Sequence, residues 1–332
     1  MSQDQAVVAV RRGVRDALAG LDPRATGPVV VACSGGADSL ALLAATVAEV
    51  ARAGRAGAPT PRVVGATVDH GLQDGSAEHA ARVVEQMAAT GADETLTARV
   101  AVTTAGRGPE AAAREARYAV LEQVATSLDA AAVLLGHTLD DQAETVLLGL
   151  TRGAGARSLA GMRRSFEVFR RPLLDVTRVQ TETACVVLGL EPWTDPHNAD
   201  DRFTRVRVRT RVLPLLEEEL GPGVAATLAR TADQLRRDTA YLDQVTDAAL
   251  ATATVPTGLS VAVLADLHEA VRLRVLRAAA LAAGALPAEL SSAHLDDLDR
   301  LVTAWHGQKW VDLPGHLRAS RSEGVVGFVV VG

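Results

Sequence analysis

The sequence predicts a doubly wound α/β domain on a parallel sheet, followed by a smaller, mainly helical C-terminal domain. Three observations carry this. A β-branched run, Val29 to Val31, passes through a glycine pair into a long helical pattern, the first half of a βαβ unit. Strand-like and helix-like segments then alternate to about residue 153. The strand-like runs are continuously apolar instead of alternating, as expected where crossover helices cover both faces of a parallel sheet.

After the first strand and helix come a strand at 61–69, a helix at 76–91, a strand at 94–102, a helix at 109–128, a strand at 131–137 and a helix at 140–153. Beyond Leu173 the pattern loosens into one helix, a turn-rich stretch and an arginine-alternating segment that leads to Leu213 and Pro214. Pro222 between Gly221 and Gly223 marks a boundary, so the domains are read as 1–218 and 219–332. In the second, helices are expected at about 223–250, 265–284 and 291–306, the last capped by Ser292, followed by two short strands.

With 48% hydrophobic and 22% charged residues over 332 positions, the chain can bury the cores of two domains. Its opening segment has no cleavage pattern, and no stretch approaches the roughly 20 apolar residues of a spanning helix, so no membrane partner and a cytoplasmic location are expected. Cys33 and Cys185 form no CxxC pair, which argues against disulfide scaffolds, zinc knuckles and thiol-based sulfur carriers; each reads as a buried small hydrophobe. The net charge of −6 argues mildly against a nucleic-acid partner, but nucleic acids respond to local fields, and the charge is uneven. Lys309 is the only lysine, so nearly every cation is an arginine.

Ser34-Gly35-Gly36-Ala37-Asp38-Ser39 stands where a strand ends and a helix begins, a geometry that aims backbone amides and a helix N-terminus at an anion. The glycines let the backbone approach a pyrophosphate, and Ser34 and Ser39 offer hydroxyls. Asp38 is misplaced for phosphate binding unless a Mg2+ lies between, so the acid argues for a metal. A bare glycine turn is the alternative, and the SGGxDS pattern in strand-helix context favours function. Val68-Asp69-His70-Gly71 closes the second strand on the same sheet edge; taken alone it is a common strand terminator.

In the segment Gly136 to Thr145, His137, Asp141 and Glu144 follow i, i+4, i+7 spacing and are predicted to share one helix face. Acids at a helix start are common for dipole reasons. Two carboxylates with a histidine could also hold Mg2+, with Asp38 and Asp141 as its ligands, or position an amine and take its proton. Between 152 and 178 seven arginines, Arg152, Arg163 and Arg164 among them, face only Glu167 and Asp175. Arg205, Arg207, Arg209 and Arg211 alternate. On a strand these four would make one cationic edge and on a helix they would spread; either way the absence of interleaved acids favours phosphate contacts over a plain solvated face.

The hexapeptide resembles the PP-loop of N-type ATP pyrophosphatases and lacks the GK[ST] of a Walker A loop. In order along the chain, SGGADS, DHGL, GPEAAAREARYAVL, GHTLDDQAETVLLGLTRGAG, RRPLL, the Asp195-x-x-Asn198 pair, FTRVRVRTRVLP and the Trp305-to-Gln308 WHGQ resemble the tRNA(Ile)-lysidine synthetase family over nearly the whole length. The resemblance implies a PP-loop ATP pyrophosphatase domain with a tRNA-binding C-terminal domain. It implies a ligase that uses ATP to adenylate carbon 2 of the wobble cytidine of tRNA(Ile) with CAU anticodon, after which free lysine displaces AMP and gives lysidine. ATP would lie on Ser34 to Ser39, Asp69, His70 and Gly136, and Asp38 would serve Mg2+. His137, Asp141 and Glu144 would form the lysine and metal face, and Arg114, Arg117 and Arg205 would serve the phosphates and developing charge. A homodimer is left open.

The chain departs from the family at Gln73, where arginine is frequent, at Val206 for asparagine, at Ala154 for serine and at Thr138 for a second histidine. A PP-loop tRNA thiolation enzyme is the nearest alternative, but such enzymes use cysteine clusters. Small-molecule amidating relatives would not need two arginine clusters. A non-catalytic, nucleotide-gated tRNA binder would be expected to have lost Asp38.

Overall fold

The computed structural model describes residues 3–69, 75–100, 109–151, 155–193 and 200–331, with backbone only for 109–113. The chain forms two compact units, residues 1–153 with 158–232, and residues 154–157 with 233–332.

The first unit opens with α1 (Gln3–Ala19), which the sequence reading did not anticipate. Its buried face is Ala6, Val10 and Val14, a narrow stripe at helical spacing in a segment otherwise rich in charge. Arg11 and Arg15 of α1 reach Glu49 of α2 (Ala37–Arg55) at 2.7 and 2.8 Å, and Arg52 joins them at 2.7 Å. Glu49 is buried, so this carboxylate depends on its three guanidiniums for the hydrogen bonds water would supply. Glu49→Ala should lower stability by about 1–3 kcal/mol, less than a fully buried pair because the arginines can turn to solvent. Chemical denaturation would measure it, and an unchanged midpoint would show that α1 is held by its apolar stripe alone.

The sheet is built from β1 (Val29–Ala32), β2 (Val63–Asp69), β3 (Glu94–Arg99), β4 (Ala132–Leu134), β5 (Ser165–Phe166) and β6 (Phe169–Arg170). Its order is β3-β2-β1-β4-β6-β5, parallel throughout except for the β5–β6 hairpin. The register aligns Val29 with Val63 on one side and Ala132 on the other. The crossovers are α2, α3 (Ser76–Thr90) and α4 (Pro109–Ser127), with α5 (Leu139–Leu150) and the short α6 (Gly155–Leu159) after β4. Apolar clusters line both faces: Val29, Val31, Leu40, Leu43 and Met87 on one, Val30, Val64, Leu121, Val133 and Phe169 on the other. This is why the strands read as unbroken apolar runs, and the predicted doubly wound fold is observed.

Next come α7 (Arg178–Val187), α8 (Thr204–Arg207), one π-helical turn at Val208–Val212, α9 (Leu213–Glu219) and α10 (Val224–Ala253). The arginine-alternating segment is therefore helical. The Gly-Pro-Gly turn is real, with Gly221 and Gly223 both at positive φ. It does not end the unit, because Ala225 and Leu228 of α10 pack with Ala143, Val208 and Leu213; the division falls inside α10, later than the expected boundary.

The second unit combines helices with a five-stranded antiparallel sheet, where two strands were expected. The strands β7 (Thr254–Val255), β8 (Gly258–Ser260), β9 (Val311–Leu313), β10 (Leu317–Ser322) and β11 (Val325–Val330) run in the order β7-β8-β11-β10-β9. The expected helix at 265–284 is two, α11 (Val261–Asp266) and α12 (Glu269–Ala282), and the last is α13 (Ser292–Thr303). Its N-cap is Ser291 and not Ser292, in a capping box with His294. Among the described residues no helix is long and apolar enough to cross a membrane.

Candidate active site

The carboxyl ends of β1 and β4 bring two loops together. Ser34 to Gly36 leads from β1 into α2, whose N-cap, Gly36, has no capping side chain. The first amides of α2 therefore stay available to an external anion. Ser39 Oγ donates to the Gly36 carbonyl at 2.9 Å and accepts from the Ser34 amide at 3.1 Å, closing the loop on itself. Gly35 sits at φ +81°, and a Cβ there would lie 2.7 Å from Val83. Gly136, from the β4 loop, lies so close to the Asp38–Ser39 backbone that a Cβ would come within 3.2 Å. Gly136 is set by backbone approach, and Gly35 by its positive φ and the side chains packed against it.

Asp38, in the first turn of α2, accepts a short hydrogen bond from Thr181 Oγ1 and lies 3.8 Å from Arg178 Nε, both on α7. Burial pushes its carboxyl up to about 6, only partly offset by Arg178 and Thr181. Arg178 then bridges to Asp141, its Nη2 donating to Oδ1 at 3.1 Å. Arg178 Nε itself is buried without a hydrogen-bond partner among the described residues.

Thr138 caps α5 with Asp141 in a reciprocal box: the Thr138 amide and hydroxyl donate to Asp141 Oδ2 at 2.9 and 3.0 Å. The departure at Thr138 thus keeps a polar role. His137 lies before the cap, outside the helix, so the predicted three-residue helix face reduces to Asp141 and Glu144. His137 Nδ1 accepts from Arg171 Nε at 3.3 Å, and burial together with Arg171, Arg114 and Arg205 keeps the ring neutral against the pull of Asp141. Asp141 is held ionised despite burial by Arg178, the Thr138 amide and Arg205.

The four alternating arginines sort into two i, i+4 pairs on different helix faces. Arg205 and Arg209 turn inward. Their Nε atoms donate to the fully buried Glu144 at 2.8 and 2.7 Å, and Arg209 Nη2 reaches Asp141 at 3.3 Å. Arg207 and Arg211 turn outward, Arg207 to the carbonyls of Asp201 and Arg202 and Arg211 to the Asp201 carboxylate. The π-helical turn contains Arg209 and Arg211, one from each pair, a device often found at functional sites. Val206 is buried, so its apolar side chain suits its place.

Beyond this centre, Arg171, which the sequence reading did not single out, donates to Tyr118 Oη at 2.9 Å and stacks over Phe166 at 4.7 Å. Arg114 covers Tyr118 from 5.5 Å, and Arg117 is exposed on the same helix. Arg163 is exposed, and Arg164 grips Asp175 through both terminal nitrogens at 2.6 and 2.7 Å. Asp69 is buried at the end of β2, 3.6 Å from Arg99. His70, Gln73, Arg152, Ala154 and the Asp195–Asn198 pair lie outside the described residues. No group of three or more metal-ligating side chains occurs among the described residues. In the second unit, Trp305 and Trp310 are half exposed, each with one face under a guanidinium, Arg321 at 4.8 Å and Arg318 at 4.6 Å.

A glycine loop into an uncapped helix, with a buried acid in its first turn and at the carboxyl edge of a parallel sheet, defines a PP-loop nucleotide enzyme, and the PP-loop domain family matches residues 11–216. A second family, described as the TilS substrate binding domain, matches residues 259–324. The chain is 54% identical to a tRNA(Ile)-lysidine synthase of Salinispora tropica, over 96% of this chain and 95% of that one. It is 52% identical to the enzyme of the same name from Thermobifida fusca, over 96% and 94%. The chain belongs to the tRNA(Ile)-lysidine synthase family. Among solved structures, a U34-tRNA thiolase of Methanococcus maripaludis shares the fold, with a TM-score of 0.55 at 18% identity over 70% of this chain and 80% of that one.

Proposed function

We propose that this protein converts the wobble cytidine of tRNA(Ile) with CAU anticodon to lysidine. Carbon 2 of the base is joined to AMP with release of pyrophosphate from ATP, and the ε-amine of free lysine then displaces AMP and forms the C–N bond. The observation that carries this reading is the likeness to tRNA(Ile)-lysidine synthases along almost the entire chain, with the SGGADS loop intact. A cytoplasmic location goes with such a substrate. ATP–pyrophosphate exchange stimulated by unmodified tRNA(Ile), with lysine consumed on completion, tests it; sulfur incorporation would favour the thiolation alternative, and exchange without tRNA a small-molecule acceptor.

In this reading the amides at the start of α2 and the Ser34 hydroxyl hold the phosphates, while Ser39 closes the loop behind them. The donor set suits Mg2+, which is commonly bound through one or two carboxylates, substrate phosphates and water. Of Asp38, Asp141 and Glu144, Asp38 alone accepts no guanidinium hydrogen bond among the described residues and has an oxygen to give. When bound, Mg2+ would neutralise charge on the phosphates. Asp141, the other metal candidate, would have to release an arginine. Asp141 and Glu144 therefore serve both half-reactions chiefly by holding Arg178, Arg205 and Arg209 in register, and His137 with Arg114 and Arg117 extends the polar wall.

The half-exposed Trp305 and Trp310 are suited to stack on unpaired RNA bases, and Lys309 stands between them in sequence. Replacing both by alanine should weaken tRNA binding by about 1–3 kcal/mol per stacked base. ATP affinity should stay constant. Fluorescence anisotropy with labelled tRNA reads the effect, and equal affinity in the double variant would remove this surface from recognition.

A further inference from the structure

Two consecutive carbonyls of the PP-loop are tied down from behind. His79, on the first turn of α3, places Nε2 at 3.1 Å from the Ser34 carbonyl oxygen, and the backbone amide of Trp193 donates to the Gly35 carbonyl at 2.9 Å. The two anchoring residues also hold each other: their rings stack with centroids 3.8 Å apart at 36°. A carbonyl oxygen can only accept, so Nε2 carries the proton. His79 Nδ1 is then buried with no partner among the described residues, a polar atom kept where an apolar ring would pack without that cost.

A trans peptide carries its C=O and N–H on opposite sides, and the described residues include no cis bond. Fixing the Gly35 carbonyl toward the Trp193 amide therefore aims the Gly36 amide, the last before α2, the opposite way. Fixing the Ser34 carbonyl stops the neighbouring plane from turning. Such restraint matters here because glycine readily adopts several backbone conformations, and the two glycines would otherwise make the loop soft. The packing is tight: a Cβ on Gly35 would sit 3.3 Å from His79 Cε1.

We infer that His79, backed by Trp193, is a positioning residue that presets the PP-loop amides for the phosphates of ATP. It acts through Ser34 and Gly35 and does not touch the nucleotide. This rests on the proposed ATP-dependent function and adds to it the element that organises the loop. Preorganised amides hold phosphate without reordering on binding, so their loss appears in nucleotide affinity.

The test compares His79→Phe, His79→Ala and His79→Gln in the full chain, with ATP and tRNA(Ile) dissociation constants and thermal midpoints measured for each. His79→Phe keeps a ring against Trp193 and removes only the hydrogen bond, so it should fold even if His79→Ala does not. The expected result is a roughly tenfold or greater loss of ATP affinity in His79→Phe, unchanged tRNA affinity, and partial recovery in His79→Gln, whose amide can donate to Ser34. Wild-type ATP affinity in a folded His79→Phe overturns the proposal, as does a parallel loss of ATP and tRNA binding with a lowered midpoint. Failure of the wild-type protein to bind ATP would instead overturn the function on which the inference rests.

Discussion

Asp38→Asn should sharply slow adenylate formation and at the same time make the nucleotide-free protein more stable at neutral pH. The catalytic loss should be on the order of 10^2–10^3 in pyrophosphate release, since an amide is a poor ligand for Mg2+ and a metal contact of this kind is worth several kcal/mol. The gain in stability has its origin in burial. Asp38 is pushed up to about 6 from its usual 3.8, because burial outweighs Arg178 and Thr181. A carboxyl raised on folding contributes stability that is complete below its unfolded value and is lost as pH rises through about 6. At pH 7.5 the free protein therefore holds an ionised carboxylate at a cost, which asparagine removes while keeping an acceptor for Thr181. With Asp38 one-quarter exposed, the gain should be about 1–2 kcal/mol. Activity should run the opposite way with pH, falling below about 6 as Asp38 takes up its proton. Denaturant midpoints at pH 5 and 7.5, with pyrophosphate release on the same samples, would check both. Equal stability of variant and wild type at pH 7.5 would show that the buried charge is already neutralised.

The α/β core was legible because its signals are local and redundant: the central strands β1 and β4, covered on both faces, are apolar at every position, and the turn after β1 announces itself through Gly35 and Gly36. The loop at Gly136 and the cap of α5 were legible in position but not in partners. That Thr138, and not His137, opens the helix depends on a capping box whose strength lies in a single hydroxyl. The arginine segment shows the limit most clearly. Alternation at 205, 207, 209 and 211 fits an extended edge by period and a helix by i, i+4 pairing, and what decides between them is Glu144, sixty-one residues before Arg205. Likewise α1 is stapled by Glu49, whose three arginine partners are unremarkable in sequence. Short strands such as β7 and β8 were hidden because two- and three-residue segments carry no period. The second unit thus reads from sequence as mainly helical with two terminal strands instead of a five-stranded sheet.

Glu144 is where sequence and structure assign different work to the same residue. As a member of an acidic face it would recognise or deprotonate lysine, and its removal would spare adenylation and let AMP-linked tRNA accumulate. In the structure its two oxygens accept from Arg205 and Arg209, which are roughly three-quarters buried, and Glu144 is wholly so. Removing one partner of such a pair leaves uncompensated buried charge, at a cost of about 3–5 kcal/mol. Glu144→Ala should therefore destabilise the first unit strongly, and both half-reactions should fall together as the arginines lose their register. Glu144→Gln, nearly isosteric, keeps one accepting oxygen but turns the other position into a donor facing a guanidinium, which must then move. It should fold, and it should lose adenylation by a factor on the order of 10 or more, the equivalent of 1.4 kcal/mol or above. Adenylated tRNA and lysidine must be quantified separately in this variant. Accumulation of AMP-linked tRNA in Glu144→Gln would return the residue to the lysine half-reaction; a joint loss of both products would assign it to the organisation of Arg205 and Arg209.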